Sequence, residues 1–189
     1  MLVLASASPR RQELLRNAAI PFEVHPAHIL EDPLPNESPR ACAERLAREK
    51  ALAISKLRPN DPILAADTVV TIHADGRDHI LGKPTDPADA ARMLRQLSGQ
   101  THQVITGICL ICNAQILTTS ETTSVTMSEI PENEIAAYIA TAEPMDKAGA
   151  YAIQGQASRW IPRIQGDYSN VVGLPIARTY RLLRDCHLL

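Results

Sequence analysis

Aromatic residues are scarce in this sequence, which holds one Trp, four Tyr and one Phe among 189 residues. The hydrophobic fraction is nevertheless 45%, so Leu, Ile, Val and Ala must fill the core. No apolar run approaches the roughly 20 residues that a membrane-spanning helix needs, and we expect no membrane association. A basic segment followed by an apolar stretch and a cleavage site is also missing, so we expect no signal peptide.

The sequence also lacks an excess of either charge. Its formal net charge is −2, which gives no support to nucleic-acid binding through bulk electrostatics. No internal repeat, low-complexity segment or linker interrupts the chain. A length of 189 residues is long for one domain and short for two. We therefore expect a single domain, residues 1–189, with two lobes around one cleft.

Cysteine is sparse as well, with only Cys42, Cys109, Cys112 and Cys186. Cys109 and Cys112 form a CxxC motif inside VITGICLIC, an apolar run that is typical of a β-strand. Residues three apart in a strand face opposite sides of the sheet, so this pair is a poor metal clip. We therefore predict packing thiols in a reducing cytosol rather than a zinc or redox centre.

The sequence does contain an alternation of strand and helix signals. Ser8-Pro9 and Asp86-Pro87 predict helix starts, because a capping side chain precedes a proline in each. Asp75-Gly76 and Asn113-Ala114 predict turns between strands. Further helices are predicted in ACAERLAREKALAISKL, PENEIAAYIATAE and LPIARTYRLLRDC, and short strands in GAYAIQG and RWIPRIQG. This mixture predicts an α/β fold with a mixed sheet.

The opening segment LASASPRRQELL places two cations where a helix prefers anions. Arg10 and Arg11 follow the cap Ser8 in the first turn, next to unpaired N–H groups and the positive end of the helix dipole. A strand that runs into a Ser-rich turn and a helix start is an arrangement that phosphate sites use. Either a bound anion offsets both charges, or the two arginines are solvated and reach neighbouring carboxylates.

Lys50 interrupts an otherwise apolar stripe on the helix of residues 41–57. Leu46, Ala47, Ala51 and Ile54 share that stripe at helical spacing. The lysine either extends past the edge of the core or points its ammonium group into a cleft, where it needs an anionic partner. If the ammonium group enters the cleft, we expect Lys50→Met to preserve or raise thermal stability, because methionine completes the stripe, and to weaken binding in the cleft.

Asp67 interrupts the apolar strand ILAADTVV. A buried and unpaired carboxylate costs several kcal/mol, so Asp67 must pair with a cation, be protonated or lie beside a cleft. A divalent metal is one partner that suits it, and a structural hydrogen bond is the alternative. Lys83 in ILGKPTD and Glu143, Asp146 and Lys147 in EPMDKAGAYAIQG add charge next to turns. Together these groups match what binding of a polyphosphate with its metal requires.

These segments resemble the Maf proteins, a family of nucleoside triphosphate pyrophosphatases. The resemblance runs from LASASPRRQELL through RLAREKA, AADTVV, GKPTDPADAARMLRQLSGQTHQVITG and EPMDKAGAYAIQG to YSNVVGLP, in the family's order. The segments with Asp67 and Gln154 resemble the branch that acts on dTTP and UTP. Ala152 departs from the pattern, since the family favours glycine there, and this matters only if the backbone needs a positive φ.

The resemblance implies hydrolysis between the α- and β-phosphates, which gives a nucleoside monophosphate and pyrophosphate. It also implies a divalent cation, Mg²⁺ or Mn²⁺, a cytoplasmic homodimer, and no nucleic-acid partner. The implied fold is a curved mixed β-sheet with flanking helices and a deep cleft, similar to that of inosine triphosphate pyrophosphatases.

Residue by residue, the resemblance assigns roles to ten positions. Asp67 matches the proton acceptor, and with Glu31 it matches the carboxylates that hold metal. Positions matching substrate-binding residues are Ser8, Arg10, Arg11, Lys50, Thr68, Lys83, Lys147 and Gln154, of which Arg10, Thr68 and Gln154 match those tied to specificity. The rival hypothesis is a nucleotide sensor that binds triphosphate and leaves it intact. The carboxylate of Asp67 weighs against it, because phosphate binding gains nothing from an extra negative charge.

Overall fold

The fold is one seven-stranded sheet flanked by helices, in a computed structural model that describes residues 1–189. In chain order the elements are β1 (Leu2–Leu4), α1 (Pro9–Asn17), β2 (Phe22–Val24), α2 (Pro39–Ser55), β3 (Ile63–Ala74), β4 (Arg77–Leu81), α3 (Pro87–Leu97), β5 (Thr101–Cys112), β6 (Gln115–Thr126), α4 (Glu132–Ala140), β7 (Arg163–Gln165), α5 (Tyr168–Val172) and α6 (Ile176–Asp185). The strand order is β2-β1-β3-β5-β6-β7, with β4 paired to β3. Because β1 runs parallel to its neighbours while β3, β5, β6 and β7 are antiparallel, the predicted mixed α/β sheet is confirmed.

The long strand β3 is where the sheet divides. Its first two residues pair with β1, and its last five pair with β4. Both neighbours lie on the same side of β3, because β5 occupies the other side along residues 63–71. Residues 65–69 therefore have a partner strand on one side only. The gap between β1 and β4 opens a cleft beside Asp67 and Thr68.

Helix α2 packs on the face of the sheet to which Asp67 points. Ala47 and Ala51 of its apolar stripe are fully buried there. Gly107 of β5 stands directly opposite Asp67, and a Cβ at that glycine would overlap the backbone of Ala43 in α2. The missing side chain thus lets the helix lie close to the sheet beside the aspartate.

The opposite face carries two hydrophobic clusters. One gathers α1 and α6 around Leu15 and Leu64. The other gathers α3 and α4 around Val70 and Leu94. Alternate residues of a strand share a face, so Thr68 lies on this face between Leu64 and Val70. The cleft therefore runs between two packed clusters that one continuous sheet joins.

The local signals of the sequence are confirmed where a specific side chain or turn residue carries them. Helix α1 begins at Pro9 and α3 at Pro87, each after a side chain that caps it. The dipeptides Asp75-Gly76 and Asn113-Ala114 have positive φ and join β3 to β4 and β5 to β6. No pattern in the sequence predicts β2, β4 and α5, which have three, five and five residues. Elements this short carry too few residues for a periodic pattern.

The strand expected in GAYAIQG is absent, and that prediction is wrong. The chain forms two 3₁₀ turns instead, Ala148–Ala150 and Gln156–Trp160, and Gln154 lies in the turn between them. Gly149 has φ of 69°, a backbone angle that a β-strand does not contain. In RWIPRIQG only Arg163–Gln165 is a strand. Ala152 is not among the residues with positive φ, so its methyl group causes no backbone strain.

The cysteines follow the strand geometry but not the expected redox state. Cys109 and Cys112 lie in clusters on opposite faces of the sheet, as their spacing predicts. Cys112, however, forms a disulfide with Cys186 at the end of α6, so the expectation of a packing thiol is wrong for these two residues. Cys42 and Cys109 are free and buried. The partner of Cys112 is 74 residues away in sequence, where no local pattern links them.

None of the helices combines the length and the apolar character that crossing a bilayer requires.

His102 is a buried polar residue beneath the cleft. It is 1% exposed, and its Nε2 lies 2.8 Å from the hydroxyl of Tyr151. Its Nδ1 has no hydrogen-bond partner. Burial lowers the pKa of His102 to about 4, because the charged form would lose its hydration.

This shift predicts a pH dependence of stability with a definite sign. The unfolded chain protonates His102 near pH 6.5, whereas the folded chain resists protonation down to about pH 4. The effect of His102 is therefore to leave the free energy of unfolding unchanged above pH 6.5 and to lower it as the pH drops toward 4. At pH 4.5 we expect this residue to reduce the free energy of unfolding by about 2–3 kcal/mol relative to pH 7. Urea denaturation at the two pH values measures the loss, and a His102→Gln variant with the same loss would contradict this assignment.

Candidate active site

One cavity of about 630 Å³ occupies the gap between β1 and β4. All ten positions predicted as site residues line it, namely Ser8, Arg10, Arg11, Glu31, Lys50, Asp67, Thr68, Lys83, Lys147 and Gln154. They come from the strand–helix junction after β1, the segment between β2 and α2, helix α2, the middle of β3 and the loops after β4 and α4. Five basic and four acidic side chains line the cavity, so it contains the charged groups that polyphosphate binding needs.

A cluster of three charges, of which Lys50 and Asp67 are buried and Glu31 is exposed, lies at the floor of this cleft. Lys50 Nζ lies 2.6 Å from Asp67 Oδ1 and 2.6 Å from Glu31 Oε1. Lys50 is 6% exposed and Asp67 is 7% exposed. Lys83 approaches the other oxygen of Glu31 at 3.2 Å. Burial opposes ionisation of Glu31, but the hydrogen bonds and charges of Lys50 and Lys83 together hold its pKa below the usual value.

These contacts decide between the alternatives that the sequence left open. Lys50 does not extend past the edge of the core, because its ammonium group enters the cleft and binds carboxylates. Asp67 is paired with a cation and lies beside a cleft, as the cost of a lone buried charge requires. Its second oxygen makes no hydrogen bond within the protein. That oxygen is the one available to a water molecule, a substrate or a metal ion.

Arg11 is held inside the wall of the cleft by three neutral acceptors. Its Nε donates to Gly173 O at 2.7 Å, and its two Nη atoms donate to Ser6 Oγ and Thr68 Oγ1, each at 3.1 Å. Burial lowers its pKa, an effect that the nearby negative charges oppose. A guanidinium remains protonated under such conditions. Arg11 therefore brings a positive charge into the cleft without a directly bonded carboxylate.

Arg10 behaves differently from its neighbour. Its side chain is 31% exposed, and Nη1 lies 3.8 Å from Asp146 Oδ2 across the cleft mouth. In the first turn of α1, Arg11 is thus fixed in the cleft wall, whereas Arg10 is only loosely paired. Arg10 approaches a carboxylate, as one of the two alternatives expects. Arg11 is buried and bonds no carboxylate, so for this residue the bound anion stays a prediction.

A buried hydrogen-bond network behind Thr68 was missed by the sequence analysis. Thr68 Oγ1 lies 3.0 Å from Thr106 Oγ1, which donates to Asn170 O at 3.0 Å. The Asn170 amide in turn donates to Val104 O and Thr123 Oγ1. Asn170 is completely buried, so this network fixes α5 against the sheet. The resemblance contained the signal in YSNVVGLP, but the residues alone gave no reason to select it.

The loop after α4 supplies the remaining predicted residues. Lys147 Nζ donates to Glu143 O at 2.6 Å and to Asp146 Oδ1, so its charge is held on the loop side of the cleft. Gln154 is exposed and lies on the cleft lining. Ser8 accepts the backbone N–H of Arg11 as the cap of α1, so its hydroxyl is in part engaged by the helix.

The carboxylates of Asp67 and Glu31 are the oxygen donors that face a common point. Each bonds the same ammonium group at 2.6 Å, which brings the two carboxylates together across the cleft floor. No group of three or more His, Cys, Asp or Glu side chains is arranged as a metal centre of its own. One or two carboxylates completed by substrate phosphates are a usual environment of Mg²⁺. Asp67 and Glu31 supply that number of carboxylates, and the oxygens not bonded to Lys50 Nζ are the ones that a metal ion could use.

Comparison with known proteins decides the family. The family model described as "Maf-like protein" matches residues 1–186. The chain belongs to the Maf family. A dTTP/UTP pyrophosphatase of Koribacter versatilis is 57% identical over the whole of this chain and 95% of its own length. Another, from Symbiobacterium thermophilum, is 48% identical to this Maf-family chain over 96% of it and 92% of the relative.

The fold of this Maf-family protein also occurs in a solved structure of distant sequence. The Staphylococcus aureus Ham1 protein aligns over 97% of this chain and 98% of its own, with a TM-score of 0.52 and 15% identity. At this identity the likeness concerns the fold alone. It agrees with the mixed sheet divided by a cleft that the chain forms.

The three-charge cluster predicts that Lys50→Met destabilises the protein, contrary to what the apolar stripe alone suggests. The variant leaves Asp67 buried without its bonded cation, and we expect a loss of about 3 kcal/mol in the free energy of unfolding. Urea denaturation at pH 7 measures it, with Lys56→Met at the exposed end of α2 as control. Adding Asp67→Asn should recover part of the loss. A Lys50→Met variant as stable as the parent would mean that another group compensates Asp67.

Proposed function

We propose that this protein hydrolyses nucleoside triphosphates, dTTP and UTP above all, between the α- and β-phosphates. The products are a nucleoside monophosphate and pyrophosphate. One observation carries the proposal: Asp67 presents a carboxylate oxygen without a protein partner to a cleft lined by basic side chains. Membership of the Maf family and full-length relatives named dTTP/UTP pyrophosphatases support it.

The chemistry assigned to Asp67 is that of a proton acceptor. The oxygen of a water molecule attacks the α-phosphorus, and the proton of that water passes to the Asp67 carboxylate. The bond from the α-phosphorus to the oxygen that bridges the α- and β-phosphates breaks, and this oxygen leaves with pyrophosphate. The bond between Lys50 and Asp67 Oδ1 fixes the carboxylate and leaves its other oxygen to face the cleft. This is the arrangement that a general base requires.

Negative charge builds on the leaving pyrophosphate, and the basic side chains offset it. Arg10 and Lys83 are the most exposed of them, at 31% and 61%, so they can adjust to the bound phosphates. Arg11 is fixed by three hydrogen bonds and supplies charge at a constant position. A fixed charge next to mobile ones suits a substrate whose charge moves during the reaction.

A divalent cation, Mg²⁺ or Mn²⁺, belongs to the proposal. Asp67 and Glu31 would hold it, with the substrate phosphates as further ligands. When bound, such a cation neutralises phosphate charge and polarises phosphoryl oxygens.

We further infer a cytoplasmic homodimer without a nucleic-acid partner, and light scattering after gel filtration measures the assembly.

Replacement of Asp67 tests the catalytic assignment. Asp67→Asn keeps the size of the side chain and removes the proton acceptor, so turnover should fall by at least ~10²-fold. Release of pyrophosphate from dTTP and UTP, with Mg²⁺ or Mn²⁺ present, measures it. Asp78→Asn, at an exposed position near the start of β4, is the matched control. Near-normal turnover of Asp67→Asn would move the base to another group, and a wild-type protein that binds but leaves both nucleotides intact would favour a sensor.

Gln154 is proposed to read the pyrimidine. The edge of uracil or thymine offers carbonyl acceptors and the N3–H donor, which one amide side chain can match in two places. Gln154→Glu removes the donor and brings a negative charge to the base carbonyls. We expect kcat/KM for UTP and dTTP to fall at least ~10-fold, because an unmatched polar group in a binding site is costly. Thermal stability should change little.

Gln103→Glu, at an exposed position near the start of β5, is the control for this change. It introduces the same charge away from the cleft and should leave kcat/KM at the parent value. If Gln154→Glu hydrolyses both nucleotides as fast as the parent, Gln154 does not contact the base.

A further inference from the structure

The turn that carries Gln154 is short and lacks support from the sheet. It is closed by a hydrogen bond from the Gly155 N–H to Ala152 O at 3.1 Å, so Gln154 is the third of four residues. No strand pairs with it on either side. Its position in the cleft must therefore be set by contacts at the two ends of the turn.

Both ends of the turn are bonded to one unit formed by Glu143 and Tyr138. At the first end, the Ala152 N–H donates to the Tyr138 hydroxyl at 3.3 Å. That hydroxyl donates to Glu143 Oε1 at 2.9 Å. At the other end, the Gln156 N–H donates to the same Oε1 at 3.2 Å. The carboxylate of Glu143 thus links the residues that enter and leave the turn.

Gly155 is explained by this carboxylate rather than by turn geometry. Its φ of −99° and ψ of −155° are available to any residue. A Cβ at Gly155 would nevertheless overlap the carboxylate of Glu143. The glycine therefore gives the Glu143 side chain room to enter the mouth of the turn.

The anchor of this unit is rigid. Tyr138 is 0% exposed and packs edge-on against Trp160, with ring centroids 5.2 Å apart. Glu143 also uses its backbone, since Glu143 O accepts a hydrogen bond from Lys147 Nζ at 2.6 Å. The same residue thus connects the buried cluster of α4 with a lysine of the cleft and with the turn of Gln154.

We propose that Glu143 is a positioning residue that places Gln154 against the nucleobase and so sets the selectivity for pyrimidine triphosphates. The proposal rests on the proposed function, in which Gln154 reads the base. Glu143 is not one of the residues that line the cleft. It acts through the two main-chain N–H groups that it holds, one directly and one through Tyr138.

Two variants of Glu143 separate positioning from general stability. Glu143→Ala removes both acceptor contacts, whereas Glu143→Gln keeps an Oε1 atom that can accept the same two hydrogen bonds. For Glu143→Ala we expect KM for UTP to rise at least ~10-fold and the preference for UTP over ATP to shrink, with kcat changed less than ~3-fold. Glu143→Gln should restore most of the parent KM and preference.

Glu134→Ala is the matched control. Glu134 accepts a hydrogen bond from the Trp160 indole N–H at 2.7 Å, in the segment that follows the turn, but it has no contact with the turn itself. Its loss should lower thermal stability without changing the preference for UTP over ATP. A general loss of folded protein lowers kcat on every nucleotide alike and leaves KM unchanged.

Hydrogen–deuterium exchange on the free protein gives a readout that does not depend on activity. Glu143→Ala should increase exchange in residues 151–157 and leave β3 and β5 unchanged, while Glu143→Gln should resemble the parent. Gly155→Ala should increase exchange in the parent and add little in the Glu143→Ala background, because the carboxylate that it displaces is then gone.

The two hypotheses fail in different ways. A wild-type protein that leaves UTP and dTTP intact contradicts the proposed function, and exchange still reports whether Glu143 holds the turn. Unchanged exchange in residues 151–157 of Glu143→Ala overturns the inference. So does an equal loss of kcat on UTP and ATP with KM and preference unchanged.

Discussion

The ammonium group of Lys50 is the group on which the candidate site depends, because it bonds two carboxylates at the floor of a cleft. A buried charge is tolerated only when it is paired, so Asp67 and Lys50 must meet wherever the fold places them. For this contact, α2 must lie close to the sheet. Gly107 makes the close approach possible, since any side chain at that point of β5 would push the helix away from Asp67.

The gap in the sheet between β1 and β4 makes Asp67 and Lys50 accessible to a ligand. A strand with partners on both sides has its backbone covered along both edges, which leaves no gap for a ligand beside it. Along residues 65–69, β3 has a partner on one side only, so Asp67 and Thr68 face open space while β5 holds their backbone. Because adjacent residues point to opposite faces, Asp67 meets Lys50 and Thr68 meets Arg11. One strand therefore orders two separate parts of the cleft.

Much of the site could be predicted from residue chemistry, although the contacts could not. A carboxylate in an apolar strand and a lysine in an apolar stripe each required a partner, and both signals were local. What the pattern of α2 suggested about Lys50 was incomplete, since periodicity treats the lysine as a defect in a stripe. Its bond to Asp67 shows that the lysine is needed there, because it pairs a buried carboxylate. In the same way, the local pattern predicts a strand at Gln154, whereas the residue lies in a turn whose flanking residues Ala152 and Gln156 donate their N–H groups to Tyr138 and Glu143.

The sequence by itself determined the local features: the capped starts of α1 and α3, the two hairpin turns, the mixed strand and helix content, and the presence of cations and carboxylates suited to phosphate chemistry. The tertiary structure decided which of these groups meet. Glu31 and Asp67 are separated by a whole helix and share one lysine, and Cys112 pairs with Cys186 across 74 residues. Capping and turn formation involve atoms a few residues apart, so the sequence encodes them directly. Burial of charge is settled only when distant segments pack, because its free energy depends on which partner the fold brings within hydrogen-bond distance.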